Sequence, residues 1–172
     1  AHTVTLDREV PGLVPGTTQV MNLNHITQST VIRNNTITPY MRNALLARAQ
    51  NMTIEGNTLD CSRGGVLGLN LNFASGQDGT RLRKVRVVGN TFNCPDNVGL
   101  VAWRPYRDEN GVPDTRDIEI TGNVFQVGSA KAIRVSGVEE LKVQANRFVK
   151  DGQAVPDPAE FADIVGRKSR VP

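Results

Sequence analysis

The chain has 172 residues, 38% of them apolar and 22% charged, with a net charge of +3. That length favours one globular domain with a real core, and no apolar run is long enough to span a bilayer. The basic excess is small, and its one tight group, Arg167, Lys168 and Arg170, reads as a solvated tail. Nucleic acid is therefore not expected as a partner.

In chain order, residues 1–20 form a leading segment of extended character, punctuated by Pro11-Gly12 and Pro15-Gly16, with no amphipathic helix. Residues 21–150 carry a recurrent phrase: TVIRNNTI at 30–37, MTIEGNTL at 52–59, VRVVGNTF at 85–92, IEITGNVF at 118–125 and LKVQANRF at 141–148. Its asparagine falls at 35, 57, 90, 123 and 146, at intervals of 22, 33, 33 and 23 residues. Repetition at this period marks a stacked architecture, because one unit cannot bury its own apolar face.

Within each phrase apolar and polar residues alternate, the period of a strand with one buried face. Gly56, Gly89 and Gly122 precede the asparagine, where a sharp corner needs positive φ. A second apolar element follows about ten residues later, centred on Leu45, Leu67, Leu100 and Ile133. Strand, corner and strand repeating in this way predict an all-β fold, a right-handed parallel β-helix of the single-stranded, pectate-lyase-like kind, with about five coils. Equivalent positions would lie about 4.8 Å apart. The asparagines would then form an internal ladder, and Ile37, Leu59, Phe92, Phe125 and Phe148 an apolar column. Residues 82–92 and 138–148 also fit a leucine-rich-repeat consensus. That fold requires a helical segment after Asn-x-Phe, whereas here a β-type run such as NVGLVAW at 97–103 follows.

Both longer intervals contain an insertion at the same place in the unit, LNLNFASGQDGTRLRK at 69–84 and AWRPYRDENGVPDTRD at 102–117. Stacking would set them side by side, and function concentrates in such loops on a rigid scaffold. They hold Phe73, Trp103 and Tyr106 among Asn70, Asn72, Gln77, Asp78, Arg104, Arg107, Asp108, Glu109 and Asp114. Aromatic rings beside planar amides, carboxylates and guanidinium groups suit the apolar face and hydroxyl rim of a sugar. Asn70, Asn72, Phe73, Trp103, Arg104 and Tyr106 are the candidate substrate contacts. Asp78 and Asp108 are the candidate catalytic pair, since glycoside cleavage uses two carboxylates. The alternative is that Trp103 packs its loop down and the charges are merely solvated.

Neither His2 nor His25 has ligand-spaced neighbours, so no metal or cofactor is expected. Cys61 and Cys94 each lie four residues after their asparagine and should be neighbours, either disulfide-bonded or reduced. At the carboxyl end, residues 151–172 read as a cap and tail. DPAEFADIVGRK at 157–168 opens with an Asp-Pro helix signal and predicts a helix covering the last coil through Phe161, Ile164 and Val165. The first coil has no such cover, so an amino-terminal remainder of a longer protein, or another copy in a homo-oligomer, is expected there.

The order of features over residues 20–148 resembles the carboxyl-terminal β-helix of the bacterial exo-α-1,3-galactosidases of glycoside hydrolase family 110. The resemblance rests on Ala44-Leu45-Leu46, Ile54-Glu55-Gly56-Asn57-Thr58-Leu59, Phe73-Ala74-Ser75-Gly76, Asn90-Thr91-Phe92 and the run from Val101 to Pro105. It implies a secreted or periplasmic carbohydrate-active protein acting on α-galactosides. Where that family has Trp-x-Glu-Ser-Gly, this chain has Phe73 and Ala74 at the aromatic and acidic places. Asn70 or Leu71 stands where an acid would follow the strand. An amide cannot serve as a general acid or base. A non-catalytic glycan-binding module and a trimeric phage tailspike-like segment are therefore the alternative readings.

Overall fold

The computed structural model describes residues 29–39, 42–47, 49–65, 67–71, 82–102 and 115–167. The first strands are β1 (Thr30–Arg33), β2 (Thr36–Ile37), β3 (Asn43–Leu46), β4 (Met52–Glu55), β5 (Thr58–Asp60) and β6 (Leu67–Asn70). They are followed by β7 (Arg83–Val88), β8 (Thr91–Asn93), β9 (Val98–Ala102), β10 (Arg116–Thr121) and β11 (Val124–Gln126). The chain then forms β12 (Ile133–Gln144), β13 (Arg147–Lys150), β14 (Gln153–Ala154) and β15 (Ala162–Arg167). No α-helix occurs among the described residues.

From β1 to β9 each strand pairs in parallel with the third strand after it, while β10 pairs β12 and β11 pairs β13 because β12 spans two strand rows. One sheet runs β1-β4-β7-β10-β12-β9-β6-β3 with β15 also on β12, and the other β14-β13-β11-β8-β5-β2. The long strand β12 joins two of the three strand rows, pairing β9 through Ile133–Val135 and β10 through Glu139–Gln144. This long, curled, parallel arrangement is consistent with a β-helix.

Alternation decides what lies inside. Ile54, Val87 and Ile120 are Cα partners on consecutive rungs, and all are buried. So are Leu69, Leu100 and Ile133. Leu59, Phe92, Phe125 and Phe148 form a third internal column, in which the Phe92 and Phe125 rings stack at 4.5 Å and the Phe125 and Phe148 rings at 5.4 Å. Two rows of side chains facing a third give each unit a dry interior that it shares with its neighbours.

The corner between the first two strand rows is built from one backbone conformation repeated along the stack. Asn34, Gly56, Gly89, Gly122 and Ala145 have φ of 56°, 61°, 61°, 62° and 52°. Each is followed by an asparagine whose amide ties the rungs together. The Nδ2 of Asn35, Asn57 and Asn90 donates to Oδ1 of the next asparagine at 3.0 Å, and that of Asn123 to Asn146 at 2.9 Å. The same Oδ1 atoms accept the backbone N–H of the preceding asparagine, as at Asn57 from Asn35 and at Asn90 from Asn57. Asn57, Asn90 and Asn123 are buried, and these bonds satisfy groups that water does not reach.

Ala145 occupies a conformation that costs an L-residue about 1–2 kcal/mol. Ala145→Gly should therefore raise stability by roughly 0.5–1 kcal/mol after the entropy cost of glycine is allowed for. A shift in the urea midpoint at constant slope would show it, and an unchanged or lower midpoint would contradict it.

Two expectations are corrected. The residue in register with Leu45 and Leu100 is Leu69, not Leu67. The turn Cys61–Gly65, with Gly64 at φ 97° and its N–H donating to Cys61 O, makes this connection two residues longer than its equivalents. The carboxyl-terminal helical cap is replaced by a single 3-10 turn, Pro158–Phe161, capped where Asp157 accepts the N–H of Ala159 at 3.0 Å. The chain then extends into β15, parallel to β12, with Ile164 opposite Val135. β-branched Ile164 and Val165 suit a strand, and extending the sheet gains a ladder of hydrogen bonds that a lone helical turn would forgo.

Cys61 and Cys94 are joined in a disulfide, with Cα atoms 4.9 Å apart and a sequence separation of 33. Closing a loop of that length restricts the unfolded chain by about 3–4 kcal/mol. The Cys61→Ala, Cys94→Ala double variant should lose stability of that order in a denaturant titration. A loss below about 1 kcal/mol would show that the bond adds little.

Candidate functional site

The two insertions spring from one corner of the stack. The first leaves after Asn70 and Leu71 and re-enters at Leu82 and Arg83. The second leaves after Val101 and Ala102 and re-enters at Thr115 and Arg116. Asn70 is the Cα partner of Val101, and Arg83 that of Arg116, so departures and returns lie on adjacent rungs. The N–H of Leu71 donates to Val101 O at 2.8 Å, and that of Arg116 to Leu82 O at 3.1 Å. Leu71, Leu82, Ala102 and Thr115 are buried, so the base under both insertions is packed. Such a base fixes where two loops begin and end, which preorganises anything they hold.

Of the candidate contacts, Asn70 closes β6, half-buried, its carbonyl accepting the N–H of Ala47 at 3.1 Å. Asn72, Phe73, Asp78, Trp103, Arg104, Tyr106 and Asp108 lie outside the described residues.

Charges cluster on the strands where the second insertion returns. Glu119 accepts Arg86 Nε and Lys142 Nζ, both at 3.0 Å, a three-rung ion network. These bonds, led by that from Lys142, hold its carboxyl below the usual range. Asp60 is held low in the same way, chiefly by the backbone N–H of Ser62, with Asn93 Nδ2 also donating to it at 3.0 Å.

Asp117 and Glu140 set one carboxyl against another. They follow Arg116 and Glu139, which are Cα partners on adjacent rungs, and both adopt positive φ, 56° and 55°. The Glu140 carboxyl is pushed up, first by its hydrogen bond with Asp117 and then by that residue's charge, while Arg116 pulls the other way. Neither residue was singled out in the sequence. The signal was there in the interval of 23 residues from Asn123 to Asn146, which carries Glu140 over Asp117. Among the described residues, no group of three or more His, Cys, Asp or Glu side chains could hold a metal ion.

Fold and site together describe an all-β protein of stacked parallel strands that carries paired insertions on one corner. The chain is similar to alpha-1,3-galactosidase A of Akkermansia muciniphila, with 34% identity over 77 residues, which is 44% of this chain and 13% of that enzyme. The chain thus matches only a small part of the relative's length. No protein-family model and no solved structure matches it. Among the described residues no helix is long and apolar enough to cross a membrane.

Proposed function

We propose that this chain is a right-handed parallel β-helix of about five coils from a carbohydrate-active protein, and that a glycan lies across its two insertions. The observation that carries the reading is the common base of those insertions, with Asn70 opposite Val101 and Arg83 opposite Arg116 on adjacent rungs. The partial similarity to an alpha-1,3-galactosidase supports a galactose-containing ligand.

In this reading Phe73, Trp103 and Tyr106 offer stacking faces, and Asn70, Asn72 and Arg104 bond sugar hydroxyls. Asp78 and Asp108 divide the acid and base roles in hydrolysis of an α-galactoside. The Cys61–Cys94 disulfide supports a secreted or periplasmic setting. A non-catalytic glycan-binding role is the second reading, favoured by Asn70 or Leu71 standing where the resembled family has an acid.

Chromogenic α- and β-glycosides separate the two. Hydrolysis of an α-galactoside that falls at least about 100-fold in Asp78→Asn and in Asp108→Asn is the expected result. Glycan affinity without turnover would establish the second reading. Trp103→Ala should weaken affinity by about tenfold or more, the loss of one stacked ring, and unchanged affinity would remove the insertions from the binding site.

A further inference from the structure

At the carboxyl end of the six-stranded sheet, short-range turn chemistry builds a concave surface away from the insertions. Asp151 and Gly152 adopt positive φ, 51° and 80°, in the two-residue turn that reverses β13 into the antiparallel β14. The N–H of Val155 donates to Phe148 O at 2.9 Å and carries the hairpin past its last ladder pair. The 3-10 turn then brings the chain back. Asp157 caps it, Phe161 anchors it in the core, and Lys131 Nζ donates to its Glu160 carbonyl from the turn before β12. Between hairpin and turn lies a cavity of about 450 Å³, a size at which proteins hold small ligands. Its walls are tied by these bonds, so the cavity is largely preformed.

The lining combines apolar surface from Val155 and Pro156 with the polar side chains of Lys150, Asp151, Gln153 and Glu160. Among the described residues, no ion pair or side-chain hydrogen bond engages those four polar groups, which leaves them available to a ligand. A purely apolar ligand would strand them without partners. An anion would meet two carboxylates against a single ammonium. We propose that this cavity binds an amino sugar. Its protonated amine pairs with the carboxylates of Asp151 and Glu160 in charge-assisted hydrogen bonds. Its hydroxyls bond the Gln153 amide and the Lys150 ammonium, and the apolar face of its ring lies on Val155 and Pro156. The site shares no residue with the two insertions and does not depend on what they bind.

Backbone NMR of the full chain, titrated at mildly acidic pH with glucosamine and separately with uncharged N-acetylglucosamine, tests the site. Glucosamine should give saturable shifts at Gln153, Ala154, Val155 and Glu160, and N-acetylglucosamine should bind about tenfold more weakly or worse. The double variant Asp151→Asn, Glu160→Gln preserves side-chain size, and asparagine tolerates the positive φ at 151. It should keep a native spectrum and lose about tenfold or more of the glucosamine affinity. If that variant does not fold, the comparison of the two sugars on the unaltered chain decides alone. Absence of shifts at these residues, equal affinity for the two sugars, or unchanged affinity in the folded variant overturns the proposal. Glucosamine shifts confined to the insertion roots, Leu71 and Ala102, also overturn it and leave the reading of the insertions standing.

Discussion

Replacing Asn90 by Asp should cost at least about 4 kcal/mol, a large part of the stability of a domain this size. The exchange is nearly isosteric, so packing is not the cause. The Asn90 amide nitrogen donates to Ile54 O at 2.9 Å, Val88 O at 3.1 Å and Asn123 Oδ1 at 3.0 Å. A carboxylate sets an oxygen against those three acceptors, in a site with no exposed surface. It is left with a buried, uncompensated charge. Because protonation removes that charge and restores one donor, part of the loss should be recovered as the pH is lowered towards about 4. Asn35→Asp is the internal control. Asn35 is exposed, and its Nδ2 donates to Arg33 O and Asn57 Oδ1, so about 1 kcal/mol is expected there. Equal losses at the two positions would mean that burial of the amide column is not what stabilises the corner.

Phe125→Ala should cost about 3–5 kcal/mol, because it empties the middle of the aromatic column. The ring is fully buried, stacked on Phe92 with an interplanar angle of 5° and on Phe148 at 16°. The missing side chain of Gly99 makes room for it, since a Cβ there would lie 2.9 Å from Phe125 Cδ1 and 3.0 Å from Ala132 O. Gly99→Ala alone should therefore destabilise by about 1–3 kcal/mol through overpacking. Combined with Phe125→Ala, its cost should shrink, because the clash with the ring is gone while that with the Ala132 carbonyl remains. Strict additivity in this double-mutant cycle would contradict the packing described.

Residue spacing made the unit legible, since each asparagine or phenylalanine finds its counterpart 22, 33 or 23 residues away. Short-range chemistry carried that information: glycine before asparagine at a corner of positive φ, and period-2 alternation on either side. Leu69 was misplaced by two residues because the turn at Gly64 can lengthen without disturbing the strands that follow. The carboxyl end was misread because an Asp-Pro cap starts a helix and a 3-10 turn alike. What decides between them is the free edge of β12, a tertiary feature no local pattern contains. The Asp117–Glu140 pair was missed although the 23-residue interval carries one over the other, because its members are distant in sequence and meet only through register. At the candidate site, the roots of the insertions follow from spacing. Periodicity does not encode what the insertions themselves do beyond those roots.

The central claim, that a galactose-containing glycan binds across the two insertions, is tested most directly by backbone NMR during titration with an α-1,3-linked galactobiose. Shifts should appear at the insertion roots, Asn70, Leu71, Leu82, Ala102 and Arg116, and leave the outer face of the six-stranded sheet, at Thr36, Thr58 and Thr91, unchanged. Shifts confined to that sheet, or none at saturating sugar, would contradict it.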